Sequence, residues 1–346
     1  MSAVASVRPD AAAVRHPVTV RTLWLVAGGA VLIILVVLSV SFGMRAVSLS
    51  DILAGLAGHE ETLGRAAVVK RVPRTVLAVL VGAALAVSGA AMQAVTRNPL
   101  ADPGILGVTN GASLAVVLGL AFLGVTSAWG QIAVAVVGAS AAAVFVYAVG
   151  SLGRGGATPL KLTLAGAATS AAFASLISAV MLPRVELLQA WQSWQIGGVG
   201  GADWTKIAVV VPVLAAGALI CAACARGLNS LALGDDLAAG LGERVLRTRL
   251  ISALGAVVLA GAATAIAGPI GFVGLVIPHL CRMLVGTDHR WLLPLSAMAG
   301  AVLLLAADIV GRLIASEEEI QVGIVTAVIG APIFIWIVRR QKVREL

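Results

Sequence analysis

The sequence predicts an all-α integral membrane protein of about ten transmembrane helices packed in one bundle. Sixty per cent of its 346 residues are hydrophobic, mean hydropathy is +1.04, and only 12% are charged. A soluble domain carries roughly 25% charged residues to face water, so most of this surface must face lipid. The apolar residues also fall into separated stretches close to the roughly twenty residues that cross about 30 Å of hydrocarbon.

Those stretches run over 22–43, 74–96, 104–124, 130–151, 160–182, 204–226, 246–267, 271–286, 291–314 and 321–338. The first follows Arg8, Arg15 and Arg21 and extends from Leu23 to Phe42. That is longer than the apolar region of a signal peptide, and no small-x-small cleavage site follows, so a retained span is expected. The eighth is short and bounded by Gly268-Pro269 and Gly286, the pattern of a tilted, broken or re-entrant helix buried in protein. Gly82, Ala86 and Ala90 recur at four-residue spacing, as close helix contacts need. The chain divides into an N-terminal segment over 1–21, a membrane domain over 22–338 and a tail over 339–346. No soluble domain or internal repeat is visible.

With both termini in the cytoplasm, the 24 Lys and Arg fall about two to one on the cytoplasmic side, in line with the positive-inside tendency. The net charge of +8 therefore needs no nucleic acid to explain it. Against that tendency stand Arg45, Arg65, Lys70, Arg71 and Arg74, all placed in the first external loop.

No catalytic constellation appears. Cys221 and Cys224 form a Cys-x-x-Cys inside an apolar run without a second pair, and read as packing residues. His279 reads as a hydrogen-bonded structural residue. Gly197-Gly198-Val199-Gly200-Gly201 lacks the flanking strand and helix of a dinucleotide site; it is expected to be a flexible external loop, with Trp191, Trp194 and Trp204 at the membrane interface. None of the four Lys follows a Gly, so a Walker A loop is missing and any ATP hydrolysis belongs to a separate subunit. Asp308 and Arg312 are spaced for an i,i+4 pair. An ion-coupled carrier, the competing class, usually embeds carboxylates or broken polar helices at mid-membrane, and few are present here.

Between the sixth and seventh stretches lies a polar segment over 228–245. Leu237 and Leu241 share one face of a short helix there, with Asp235 and Asp236 at its first turn. A helix resting on headgroups would be basic; this one suits a groove on a protein partner.

Arg71-Val72-Pro73-Arg74, Gly82 through Gly89, Gln93 and Arg97-Asn98-Pro99-Leu100-Ala101-Asp102-Pro103-Gly104-Ile105-Leu106-Gly107 together resemble the FecCD family. So do Gly268 through Leu275, Pro278-His279, Val322 through Ala327 and Gly330-Ala331-Pro332. These are permeases of importers for ferric siderophores, haem and cobalamin. The resemblance covers roughly 25–340 and implies the type II ABC importer permease fold. It implies a second permease subunit, a dimer of ABC ATPase subunits that bind ATP and Mg, and an extracytoplasmic binding protein. This chain is then expected to bind no cofactor or metal and to reside in a bacterial inner membrane.

The family's coupling helix falls on Gly234, Asp235, Asp236, Leu237, Ala238, Leu241 and Gly242. Its binding-protein arginines fall on Arg71, Arg74 and Arg312. The pathway is expected near Gln93 and Asn98, with a gate near Thr158, Pro159 and Leu160, although Pro159 and Leu160 replace small hydroxyl residues found in the cobalamin importer. Ferric siderophore is the first expectation for the cargo, followed by haem and cobalamin. Gln321, where many relatives have Pro, is associated with systems of two different permeases.

Overall fold

The computed structural model describes residues 17–43, 47–104, 106–152, 159–314 and 319–342. Among them the chain forms fourteen helices and no strand. They are α1 (Val18–Ser41), α2 (Leu49–Leu56), α3 (Leu63–Thr96), α4 (Val108–Leu123), α5 (Ala128–Ser151), α6 (Pro159–Met181), α7 (Val185–Ile196), α8 (Trp204–Ala223), α9 (Ala225–Leu231), α10 (Asp235–Gly240), α11 (Val245–Ala267), α12 (Val273–Val285), α13 (His289–Ile314) and α14 (Val322–Lys342). Each of the ten predicted stretches becomes a helix. Seven are long and apolar enough to cross a membrane: α1, α3, α5, α6, α8, α11 and α13. α4, α12 and the 322–337 part of α14 are shorter apolar helices.

α3 is the axis of the bundle. Its most apolar stretch is 78% buried, against 11% for α1, and it packs on α13, α11, α12, α8 and α1. Such crowding requires side chains that let backbones approach, and the sequence supplies them. A Cβ added to Gly82 would lie 2.3 Å from the Gly300 carbonyl oxygen, and one added to Gly300 would lie 2.3 Å from that of Gly82. Gly89 is tighter: its Cβ would lie 2.0 Å from the Gly274 carbonyl oxygen. Ala86 and Ala90 complete the predicted small-residue stripe, and both are fully buried.

α3 begins at Leu63 rather than Arg74, which corrects the start of the second stretch. Thr62 caps it by accepting the Arg65 backbone N–H at 3.3 Å. The helix then continues through Pro73, with Val68 buried against Gly55 of α2. Its 34 residues span about 51 Å, more than a hydrocarbon core, so Arg71 and Arg74 sit on a helix and not in a loop.

The short eighth stretch is a break followed by a 13-residue helix. The chain leaves α11 at Gly268 and restarts at Val273. Gly274 abuts Gly89, seven residues before the end of α3, so α12 begins part-way along α3. Of the irregular backbone before it, Gly268 and Ile270 are buried, Pro269 and Phe272 half-buried and Gly271 exposed.

Two expectations about the 185–204 region are overturned. Trp191 is buried on α7, where it packs with Val117, Ile177 and Met181 and stands 4.9 Å from the Trp194 ring. It packs the bundle rather than facing headgroups, while Trp204 stays exposed. The Gly197–Gly201 loop is also fixed: the Gly198 N–H donates to the Ala267 carbonyl oxygen at 2.8 Å, and the Gly323 N–H donates to that of Gly197 at 3.0 Å. Gly197 serves close approach, since a Cβ there would lie 2.4 Å from the Pro269 carbonyl oxygen.

Replacing Gly89 with Val should destabilise the chain by about 1–3 kcal/mol through overpacking. Gly240→Ala, at a position with open space around it, should leave stability within about 0.5 kcal/mol. Unfolding of both variants in mixed micelles checks the contrast.

Candidate functional site

Charged side chains gather at the two ends of α3. At the Leu63 end, Asp308 of α13 is fully buried. Arg74 Nε donates to its Oδ1 at 2.9 Å, and Arg74 Nη2 lies 2.8 Å from the same oxygen. Arg312 Nη2 lies 2.9 Å from Oδ2, realising the expected i,i+4 pair. Arg74 Nη1 also donates to Glu319 Oε2, just ahead of α14.

The two other arginines turn inward. Arg71 Nη1 donates to the Val40 and Ser41 carbonyl oxygens at 3.2 and 3.1 Å. Arg312 Nη1 donates to those of Ser39 and Phe42 at 3.0 and 3.2 Å, and its Nη2 donates to Ser39 Oγ at 2.8 Å. Ser39 Oγ and Thr75 Oγ1 share a hydrogen bond of 2.6 Å. The reason lies in helix geometry: the last carbonyls of α1 have no intrahelical partner, and cations are favoured at a helix C-terminus. Arg71 and Arg312 are thus caps of α1, both buried, which departs from the picture of exposed docking arginines. Arg74 alone of the three reaches the surface. There it borders a cleft of about 360 Å³ shared with Trp194, Lys206, Glu319 and Gln321.

At the other end, α3 stops at Arg97, a non-glycine residue in left-handed conformation with φ 51°. Its Nε donates to the Leu231 carbonyl oxygen at 2.9 Å, and its Nη2 donates to Asp235 Oδ1. Arg249 Nη2 of α11 donates to the same carboxylate at 2.9 and 3.3 Å. α10 therefore exists as predicted, with Gly234 before it at φ 110° and Gly242 after it at φ 85°. Ala238 is its one buried residue. Leu237 and Leu241 are 64% and 68% exposed, and Leu233 is exposed beside them.

Nearby, Asn229 joins α9 to the start of α13. Its Nδ2 donates to Asp288 Oδ1 at 2.7 Å, and its Oδ1 accepts the His289 backbone N–H at 2.8 Å. Burial alone would raise the Asp288 carboxyl; the Asn229 amide, the Arg290 backbone N–H and the charges of Arg290 and Arg21 outweigh it and hold the group below its ordinary range. The buried, bonded imidazole is His289, whose Nδ1 lies 2.7 Å from Asn229 Oδ1. His279, expected in that role, makes no hydrogen bond among the described residues.

The other sequence candidates do not converge. Gln93 is buried, donates to the Gly274 and Leu275 carbonyl oxygens at 3.0 and 3.3 Å, and accepts from Arg282 Nη2. It ties α12 to α3 and lines no open path. Asn98 Oδ1 accepts the Leu100 backbone N–H at 3.0 Å and so shapes a turn. Pro159 opens α6, Leu160 is exposed, and Thr158 lies outside the described residues. No group of three or more His, Cys, Asp or Glu that could hold a metal occurs among the described residues. Sequence reasoning missed Glu319, Arg249 and Arg282. Arg97 carries a partial signal, a basic residue at a helix end two positions before a proline.

The model of the FecCD transport family matches residues 31–340. The chain belongs to the FecCD transport family. It is 45% identical over 312 residues to the ferric enterobactin transport system permease protein FepD of Escherichia coli, covering 90% of this chain and 93% of that one. It is 42% identical over 320 residues to the iron(3+)-hydroxamate import system permease protein FhuB of Bacillus subtilis, covering 92% and 83%. Permeases named for hemin and for cobalamin are further relatives. Among solved structures, an inward-facing metal-chelate type ABC transporter superposes with a TM-score of 0.77 at 31% identity, over 92% of this chain and 99% of that one. This FecCD-family chain is thus an all-α membrane permease.

Asp308→Asn should destabilise this permease by about 3–5 kcal/mol, because the buried Arg312 guanidinium loses its counter-charge and Arg74 keeps only Glu319. Chemical unfolding in mixed micelles measures it; a loss below about 1 kcal/mol would show that Arg74 and Arg312 need no carboxylate.

Proposed function

We propose that this chain is the permease subunit of a binding-protein-dependent ABC importer, and that its cargo is a ferric siderophore. The observation that carries the reading is α10: a short helix held against the inner ends of α3 and α11, with Leu237 and Leu241 bared to whatever docks there. The named cargoes of FepD and FhuB support the choice of chelate. Two ATPase subunits supply the energy with ATP and Mg, α10 fits a groove on one of them, and both termini lie in the cytoplasm of a bacterial inner membrane. The permease itself makes no covalent change to the cargo. An ion-coupled carrier is disfavoured by the fate of Asp308, the fully buried carboxylate of the described residues: two arginines consume it.

The binding protein docks at the opposite rim. Arg74 is the half-buried member of the arginine set, the one that borders the surface cleft, and an acidic residue of the binding protein competes there with Glu319. Arg71 and Arg312 act beneath it by fixing α1. Complementary charge at such a rim speeds encounter and sets register more than it adds affinity.

A second permease subunit faces α6. This helix exposes Ala167, Ala168, Ala171, Ala172, Ser175 and Ser178, small residues that suit a helix–helix contact within a membrane. A pathway between two such faces would let a bulky chelate pass without ligand exchange. That second subunit is either another copy of this chain or a paralogue, and Gln321 is the residue associated with the heterodimer.

The complex reconstituted in vesicles should take up ferric enterobactin when ATP is present on the α10 side and should ignore uncouplers. Uptake that collapses with the proton gradient and proceeds without ATP would overturn the assignment; hemin or cobalamin uptake alone would move the cargo. Leu237→Asp with Leu241→Asp should abolish co-purification with the ATPase while the chain stays folded. Glu319→Gln should tighten binding-protein docking a few-fold by freeing Arg74, read as a dissociation constant on the assembled complex.

A further inference from the structure

We propose that Asp235 is the positioning residue that couples α10 to α3 and α11, so that displacement of α10 by its partner is delivered to the central helix of the bundle. The inference rests on α10 being the ATPase contact and adds how the contact is transmitted. α10 is six residues long and buries only Ala238, too little to fix its direction by packing. Its first turn has two carboxylates, which a helix N-terminus would favour equally. Among the described residues only Asp235 enters an ion pair, and it enters two: with Arg97 at the end of α3 and with Arg249 on the first turns of α11. Arg97 also holds the Leu231 carbonyl oxygen, so α9 and α10 are gripped by one guanidinium on either side of Gly234.

The backbone at Arg97 supports a role beyond filling. A left-handed residue at a helix end is ordinarily Gly or Asn, because side chains with a Cβ are strained there. Here an arginine occupies the position, and the conformation aims its side chain across to Asp235. Downstream, the Glu243 N–H donates to the Ala238 carbonyl oxygen at 3.0 Å, and Thr248 Oγ1 donates to Glu243 Oε1. Those contacts join α10 to α11 alone. The link to α3 passes through Asp235 and through the Arg97 contact with Leu231.

The test uses the complete transporter in vesicles, with ferric enterobactin as probe, and reads chelate imported per ATP hydrolysed beside ATPase co-purification. Asp235→Asn is expected to lower the import-to-hydrolysis ratio roughly five-fold, the scale of a lost surface ion-pair network, with co-purification intact. Asp235→Glu should recover most of the ratio, and Arg97→Gln, which also loses the Leu231 contact, should lower it at least as far, with the double variant falling no further than Arg97→Gln alone. Arg226→Gln, an exposed charge on the same side with no ion pair among the described residues, is the control. An Asp235→Asn ratio equal to that of the control, or additive losses for Asp235→Asn and Arg97→Gln, would overturn the inference. Failure of the underlying reading looks different: the Leu237/Leu241 double variant would then keep its ATPase.

Discussion

A carboxylate without solvent, Asp308, sets the terms for one whole end of this bundle. Its charge could not remain in an apolar interior unpaired, and two guanidinium groups answer it from α3 and from its own helix. Because Arg312 is held there, its remaining donors reach the open carbonyls at the end of α1, and Arg71 completes the set. α1 has little apolar burial of its own, so this capping is what fixes its end to the bundle. The same contacts give Arg71 and Arg312 a structural role that does not depend on which side of the membrane they face. They satisfy carbonyls at the end of α1 that have no intrahelical partner.

The packing along α3 follows a different physics. Hydrophobicity does not drive helices together in lipid, since hydrocarbon chains solvate leucine as well as protein does. Gly82 against Gly300 and Gly89 against Gly274 bring backbones close enough for dispersion contacts to accumulate. The cost is rigidity, because there is no side chain to yield. A helix clamped in this way moves as a body or not at all, and that suits an element with a charged network at each end.

Most of the fold was legible because membrane spans are written in composition. Ten apolar stretches became ten helices, and the break at Gly268-Pro269 appeared where the sequence put it. The start of α3 was not legible, since eleven residues including Arg65, Lys70 and Arg71 read as loop by hydropathy while Thr62 caps a helix that projects past the hydrocarbon. Of the site, Leu237 and Leu241 were readable from their spacing. Asp235 was readable as a helix start but not as a partner of Arg97, 138 residues earlier. Arg71 and Arg312 were legible as charges but not as caps of α1: a sequence shows that a charge is present, not which carbonyls it faces. Trp191 misled for the same reason, since an aromatic residue near an interface can equally turn into the bundle.

The two networks on α3 differ in the property that matters for movement. Around Asp308 the groups are buried, so separating them exposes charges to a medium that cannot solvate them, and the energetic penalty is several kcal/mol. Around Asp235 the carboxylate and both guanidinium groups are partly exposed, so water can replace each contact and the exchange costs little. A conformational cycle that must be driven and reset should rearrange the second and preserve the first. The end of α3 at Arg74 would then serve as an anchor, with α1, α13 and the start of α14 fixed to it, while the end at Arg97 trades partners as α10 is pushed. Alternating access in such a chain needs no flexible hinge within α3, only a stiff helix with one dry end and one wet end.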